Sequence, residues 1–164
     1  MSFRREPAIN STTWIVAADR SRARIFRSHW PDMGDAALVE DHTHPEGRMQ
    51  AKEVDAGAFG RGRGPDGRSS PYDREVDHRH ETAAQMAIEI AERMEAGRAR
   101  NAFGHVVVVA PPLLLGELRR RFSPELTKLV DAEVDKELVQ MEEADILEEA
   151  HMAAMACEKS SHRP

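Results

Sequence analysis

The sequence predicts an α/β fold in which a sheet is sandwiched by helices. Two strands carry this prediction: the apolar run Trp14 to Ala18, closed by Asp19, and the β-branched run Val106 to Val109, closed by Ala110-Pro111-Pro112. A strand with no polar face is buried on both sides, and such strands occur in sheets that helices cover. Ligands of these sheets bind beyond the carboxyl ends of the strands, so Asp19 and the turn after Val109 are the first candidate positions for function.

The first elements follow in order along the chain. Residues 1–11 are expected to form a disordered lead-in, and Thr12 to Ala18 the first strand. Arginines alternate with apolar residues from Arg22 to Ser28, which predicts a half-exposed second strand after a turn at Asp19-Arg20-Ser21. A third strand is expected from Ala36 to His42.

Glycine and proline dominate residues 57–71, which read Gly60-Arg61-Gly62-Arg63-Gly64 in their middle. This density predicts neither helix nor strand, and loops of this length in compact domains are usually functional or disordered. The glycines let the backbone approach a phosphate, and the arginines supply forked donors. No strand leads into the loop and no helix starts at its last glycine, so it is neither a Walker loop nor a dinucleotide fingerprint.

Helices dominate the second half. Asp77 is expected to cap a helix that runs to about Ala96, with Gly97 as its stop. Together with the rest of residues 12–156, this helix is expected to form a single domain. The remaining elements are expected as a short helix from Leu114 to Phe122, a helix restarting at Ser123-Pro124-Glu125, a final helix from about Asp135, and a frayed tail over residues 157–164.

Composition predicts a soluble cytoplasmic protein. No window approaches about 18 consecutive apolar residues, so no membrane span is expected, and the amino terminus lacks the apolar core of a signal peptide. A single cysteine, Cys157, cannot form an internal disulfide, which fits a reducing compartment. The net charge of −6 disfavours indiscriminate nucleic-acid binding. Because arginines cluster early and acid concentrates after Asp131, one face can still attract a phosphate-rich partner.

Short motifs occur in a particular order and spacing along the chain. They are Trp14-Ile15-Val16-Ala17-Ala18-Asp19, Ala23-Arg24-Ile25-Phe26, Gly67-Arg68-Ser69 followed by Asp77, Val107-Val108-Val109-Ala110-Pro111-Pro112, Leu115-Gly116-Glu117-Leu118-Arg119 and Glu133-Val134-Asp135-Lys136-Glu137-Leu138. Over residues 12 to about 150 the chain resembles a bacterial family known as host attachment proteins. That family is related to the central domain of archaeo-eukaryotic peptide-chain release factors, so the resemblance implies an α/β sandwich of that type.

In those release factors the long loop before the central helix carries Gly-Gly-Gln, which enters the ribosomal peptidyl-transferase centre and assists ester hydrolysis. The corresponding loop here reads Gly60-Arg61-Gly62-Arg63-Gly64, without glutamine. The resemblance therefore implies a non-catalytic factor, associated with the ribosome or structured RNA in translation. Phosphate contact is expected from arginines of the loop and of the segment after the second buried strand, namely Arg61, Arg63, Arg68, Arg119 and Arg120.

Two other functions stay open from the sequence. A hydrolase of peptidyl-tRNA or a related ester could position a water through the backbone of the loop, although no residue stands out as its general base. A protein-interaction module could support attachment indirectly, through a protein partner bound at the acidic carboxyl-terminal helix. The oligomeric state does not follow from the sequence.

Two histidine pairs and Asp19 complete the candidate residues. His42-Thr43-His44 and His78-Arg79-His80 lack the cysteine pairs and the four-ligand spacing of an established zinc site, so we expect solvated or capping histidines, no metal and no cofactor. Asp19 could be a strand-end general base or ribose acceptor. It could equally accept hydrogen bonds from the turn amides of Ser21 and Arg22, which is the interpretation we favour.

Overall fold

The computed structural model describes residues 10–30, 35–43 and 71–161, with side chains up to Cys157. Within these residues one sheet has five strands in the order β3-β2-β1-β4-β5. β1 runs parallel to β4, and β4 to β5, whereas β2 pairs antiparallel with both β1 and β3. The strands are β1 Thr12–Ala18, β2 Arg22–His29, β3 Ala37–Thr43, β4 His105–Ala110 and β5 Val130–Asp135.

Helices cover both faces of this sheet. They are α1 Pro71–Ala99, α2 Pro112–Arg121, α3 Pro124–Thr127 and α4 Glu143–Ser161. The first three pack with one face and α4 packs with the other. The prediction of an α/β fold with a sheet sandwiched by helices is confirmed. Because α1 and α2 both connect parallel strands, both run from the carboxyl end of the sheet to its amino end.

The core divides into two layers because successive strand residues point to opposite faces. On β1, Trp14, Val16 and Ala18 pack beneath α1 and α2, whereas Ile15 and Ala17 pack beneath α4. The valines of β4 divide in the same way. A strand in the middle of this sheet therefore needs apolar residues on both of its faces. β1 and β4 meet this requirement and are buried along almost their whole length.

The strand β5 was not expected from the sequence, and the prediction of a final helix from about Asp135 is wrong. The segment Val130–Asp135 pairs with β4, and α4 begins only at Glu143. As an edge strand, β5 keeps Val134 buried and leaves Glu133 and Asp135 exposed, and charged residues on an edge oppose pairing with a further chain. α4 then continues past Cys157 to Ser161.

The boundaries of α1 also differ from the prediction of a helix from Asp77 to about Ala96. α1 begins at Pro71, a residue compatible with the first helical turn. It ends beyond Gly97, where the amide of Asn101 donates to Arg98 O at 2.9 Å and the amide of Ala102 donates to Gly97 O at 2.9 Å. Asn101 has φ 54°, so a left-handed asparagine ends this helix in the way that a glycine commonly does.

The first turns of α1 project beyond the carboxyl end of the sheet. The buried residues of α1 start at Thr82, and Thr82 Oγ1 lies 3.4 Å from a guanidinium nitrogen of Arg20 in the β1–β2 turn. Residues 71–81 are mostly exposed, and at about 1.5 Å per residue they extend roughly 16 Å past that turn.

Several expectations fall on residues that the structure does not describe. Residues 1–9 of the lead-in and residues 57–70 of the Gly/Arg-rich loop lie outside the described ranges, and with them Arg61, Arg63 and Arg68. Asn10 and Ser11 do contact the domain: Asn10 Nδ2 donates to Asn101 O at 2.8 Å, and Ser11 O accepts from the amide of Trp30 at 2.7 Å.

Candidate functional site

The carboxyl ends of β1 and β4 form the edge at which sheets of this type bind ligands. The two strands are parallel neighbours, with Ala17 opposite Val109. β1 leads into a hairpin toward β2, while β4 leads into α2 on the way to β5, so the chain leaves the two strands in opposite directions. Ligands of α/β sheets bind in the crevice at such a point. The structure thus brings Asp19 and the turn after Val109 to one edge, which we call the carboxyl edge.

Asp19 holds the turn that begins at this edge. Its Oδ1 accepts hydrogen bonds from the amide of Ser21 at 2.7 Å, from Ser21 Oγ at 2.9 Å and from the amide of Arg22 at 2.8 Å. The amide of Asp19 donates to Arg22 O at 2.9 Å, and the residue is only 8% exposed. The carboxylate therefore stabilises the turn by accepting its hydrogen bonds, as the favoured interpretation expected.

Replacing Asp19 tests how much the turn depends on this oxygen. We expect Asp19→Ala to lower the free energy of unfolding by about 1–2 kcal/mol, because the amides of Ser21 and Arg22 would lose their hydrogen-bond acceptor. Asp19→Asn keeps an acceptor at the same place and should cost less. Urea denaturation of both variants makes the comparison, and equal losses would show that the acceptor is not what matters.

The early arginines differ in what they contact. Arg22 donates to both carboxylate oxygens of Asp41, at 3.0 and 2.6 Å, and this hydrogen bond holds the pKa of Asp41 below its usual range. Arg24 donates to Val139 O at 3.2 Å, so it ties the segment before α4 to the sheet. Arg20 contacts Thr82 and has no carboxylate partner within the described ranges. Arg24 has no carboxylate partner in the described residues either, but its guanidinium donates to two backbone carbonyls, whereas Arg20 contacts one hydroxyl.

A small cavity of about 120 Å³ opens at the same edge. Ser21, Arg22, Thr43 and Gln140 line it. Ligand pockets for small molecules usually span roughly 300–1,000 Å³. The cavity is therefore too small for a metabolite or a nucleotide.

The Gly/Arg-rich loop falls between two described residues on the carboxyl side of the sheet. Thr43 pairs with Arg22 at the start of β2, and it is the last described residue before position 71. Pro71 starts the projecting turns of α1. The described chain therefore stops at Thr43, next to the β1–β2 turn, and resumes at Pro71, roughly 16 Å beyond that turn.

Arg119 and Arg120 lie elsewhere, in the last turn of α2 and toward the amino end of the sheet. Arg119 Nε donates to Glu133 Oε2 at 2.8 Å, and Arg120 donates to Glu117 Oε1 at 3.2 Å. Their side chains stay 60% and 76% exposed. The structure does not bring them next to Asp19 or Arg20, and their predicted contact with phosphate stays a prediction.

A histidine–aspartate pair that sequence reasoning missed lies at the amino end of the sheet. His105 Nδ1 is 2.6 Å from Asp131 Oδ2, and the indole of Trp30 stacks on the imidazole with centroids 4.4 Å apart and planes 3° apart. Burial raises the pKa of Asp131 above its usual range, although the hydrogen bond with His105 opposes this. Burial, and then the Asp131 carboxylate, raises the pKa of the Cys157 thiol on α4. No sequence signal links residues so far apart.

Asp131 and Asp41 should affect acid stability in opposite directions. A carboxyl group whose pKa is raised by folding stabilises the protein at low pH and loses that contribution as pH rises through its folded pKa. A carboxyl group whose pKa is lowered contributes above its unfolded pKa and loses that contribution as pH falls. Asp131 is the first case and Asp41 the second, each starting from an ordinary value of 3.8.

Above about pH 3.8, we therefore expect the free energy of unfolding of Asp131→Asn to rise more steeply with pH than that of the wild type. Below about pH 3.8, that of Asp41→Asn should rise less steeply than that of the wild type, by a smaller amount because Asp41 is 35% exposed. Urea titrations at a series of pH values give the slopes. Identical slopes for the two variants would contradict the assignment.

The histidine pairs do not gather ligands for a metal in the part of the chain that the structure covers. No group of three or more histidine, cysteine, aspartate or glutamate side chains there is arranged to hold an ion. His42 Nε2 contacts Glu89, and Arg93 lies 3.3 Å from His42 Nδ1, so His42 ties β3 to α1. His44 lies outside the described residues.

These features define the class of protein: an α/β domain with a covered mixed sheet and a candidate ligand edge at its carboxyl end. The family model described as "Protein required for attachment to host cells" matches residues 14–149, and the chain belongs to that family. The relationship to release factors stays a prediction. No helix of the described part has the length and apolarity needed to cross a membrane.

Two further comparisons add little to this assignment. No curated protein matches the chain. Among solved structures, a chain of a PilM-PilN type IV pilus biogenesis complex is similar with a TM-score of 0.39 and 13% sequence identity. The match covers 95% of this chain and 47% of that one, so this chain spans about half its length. At this level the likeness carries no functional argument.

Proposed function

We propose that this host attachment family protein is a non-catalytic factor that binds RNA phosphates, on the ribosome or on structured RNA, at its carboxyl edge. One observation carries the proposal. Thr43 and Pro71, the described residues on either side of the segment that contains Arg61, Arg63 and Arg68, both lie on the carboxyl side of the sheet. On the same side, Arg20 has no carboxylate partner among the described residues. We infer that the loop arginines and Arg20 contact the same polyanion.

Acidic side chains are also present at this edge. The net charge is −6, and exposed carboxylates include Asp77 and Glu81 in the projecting turns of α1 and Asp145 in the first turn of α4. A local excess of arginine can attract a polyanion in spite of an acidic whole, because screening limits the range of surface charges to about 10 Å. The exposed acidic side of α4 as a site for a protein partner stays a prediction.

Arg119 and Arg120 are proposed as weaker contacts. Each already has a carboxylate neighbour, Glu133 and Glu117 respectively. A phosphate would have to compete with those carboxylates, whereas Arg20 contacts only a hydroxyl. We expect the loop arginines to dominate binding.

The direct test is co-sedimentation with ribosomes as salt is varied. Each phosphate contact contributes roughly 0.7–0.9 to the slope of log K against log salt. The combined variant Arg61→Ala/Arg63→Ala/Arg68→Ala should therefore lower that slope by about two to three. Arg119→Ala/Arg120→Ala should lower it by less than about one.

A matched control removes the same charge from the other end of the sheet. Arg27, Arg100 and Lys128 are exposed and lie at the amino end, so Arg27→Ala/Arg100→Ala/Lys128→Ala should leave the slope close to that of the wild type. No ribosome retention of the wild type at low salt, or equal loss with both triple variants, would overturn the proposal. Release of peptide from stalled ribosomes faster than in buffer would instead favour the ester hydrolase.

A further inference from the structure

A groove between α1 and α2 lies away from the carboxyl edge, and its lining includes Arg120, proposed above as a weaker RNA contact. It is an open surface depression of about 600 Å³. Ala91 is 8% exposed, whereas Ile88, also on α1, is 39% exposed. The groove is lined by Ile88, Ala91, Glu92, Glu95, Arg120 and Arg121.

The two walls of this groove carry opposite charge. Glu92 and Glu95 belong to α1, and Arg120 and Arg121 belong to α2. Both helices run from the carboxyl end of the sheet to its amino end, so the acidic and basic walls are roughly parallel. Ile88 precedes Glu92 by one turn of α1, so an exposed apolar side chain belongs to the acidic wall.

Not all of these charges are engaged within the chain. Glu95 is held by the amide of Ser123 at 3.0 Å and by Arg98 Nε at 2.9 Å. Glu92 has no ionic partner in the described part of the chain. Arg120 shares Glu117 with Arg121, and because Arg120 is 76% exposed this contact is weak. Glu92 and Arg120 are therefore the charges most available to a partner.

Such a surface is complementary to itself in one orientation. Rotation by half a turn about an axis parallel to the helices exchanges the two walls, so the acidic wall of one copy meets the basic wall of the other. Rotation about an axis across the helices would place like charges together. A two-fold interface uses the same patch on both copies, and unlike charge across it selects the orientation.

We propose that two copies of this chain associate through the groove as a two-fold dimer. Glu92 of each copy faces Arg120 of the other, and Ile88 of each copy packs against α2 of the other. α2 has ten residues and is about 15 Å long, so its overlap with α1 offers an area at the low end of specific interfaces. The dimer is therefore weak and salt-sensitive.

Charge reversal tests the dimer without any RNA. Wild-type protein is followed by sedimentation equilibrium from about 1 to about 500 μM, a range suited to small interfaces. Glu92→Arg and Arg120→Glu should each weaken self-association at least about tenfold, because each places like charges together. An equimolar mixture of the two variants should recover association, since every contact across that mixed interface is again between unlike charges. The combined variant Glu92→Arg/Arg120→Glu should recover it as a homodimer.

Glu81→Arg makes the same charge change on an exposed position of α1 outside the groove and should associate like the wild type. Ile88→Asp should be monomeric. A wild type that stays monomeric throughout the range would overturn the dimer and leave the groove to another occupant or none. Failure of the mixture and of the combined variant to recover association would also overturn it.

Discussion

Val108→Asp is expected to prevent folding. Val108 is 2% exposed on β4, beside Val16 of β1 and beneath α1 and α2. An aspartate there would bury a carboxylate among apolar side chains without a partner, and such burial costs at least about 4 kcal/mol. A single domain has a total stability of about 5–15 kcal/mol, so most or all of the folded population should be lost. Circular dichroism and the urea midpoint give the result.

Leu38→Asp is the matched control for that substitution. Leu38 is also an apolar strand residue, but on the edge strand β3 it is 47% exposed. Its replacement should change the free energy of unfolding by no more than about 0.5 kcal/mol. A folded Val108→Asp protein with the stability of Leu38→Asp would contradict the two-sided burial of β4.

Gly97→Leu should also strongly destabilise the protein. A Cβ at position 97 would lie 2.8 Å from the ring of Phe103 and 2.8 Å from the ring of Trp14. Those rings pack against each other with centroids 4.7 Å apart and are almost fully buried. Neither ring has space to move, so a leucine should cost at least about 3 kcal/mol through displacement of the core.

Gly116 provides the comparison, because it also lies inside a helix and a Cβ there would meet nothing within 4 Å. Gly116→Leu should stabilise the protein by up to about 0.8 kcal/mol, since leucine favours the helix over glycine. Thermal unfolding of both variants measures the difference. Similar melting temperatures would show that the close approach at Gly97 is not needed for packing.

Local signals predicted some elements well and failed for others. β1 and β4 were predicted because an apolar run without polar residues has few alternatives to two-sided burial. β5 was missed because Val130–Asp135 is half charged, and only its pairing with β4 makes it a strand. Gly97 was interpreted as a helix stop because glycine commonly ends helices. The structure shows instead that two aromatic rings require a glycine there.

Sequence reasoning likewise predicted one part of the candidate site and missed another. The role of Asp19 was predictable because its partners Ser21 and Arg22 follow within three residues. Which arginine of the early cluster stays available was not predictable. Arg22 is engaged by Asp41, on a different strand, and Arg20 is not. The same limit applies to His105 and Asp131, whose contact joins two strands.

The sequence alone determined the covered sheet, the turn at Asp19 and the family to which the chain belongs. These features depend on residue patterns that are short, and hydrophobic periodicity and turn chemistry act over a few residues. Only the tertiary structure decided which charges are neutralised, which glycine is needed for packing, and that α1 and α2 form a groove with walls of opposite charge. Those outcomes depend on contacts such as that of Arg119 with Glu133, between elements whose relative placement only the folded chain establishes.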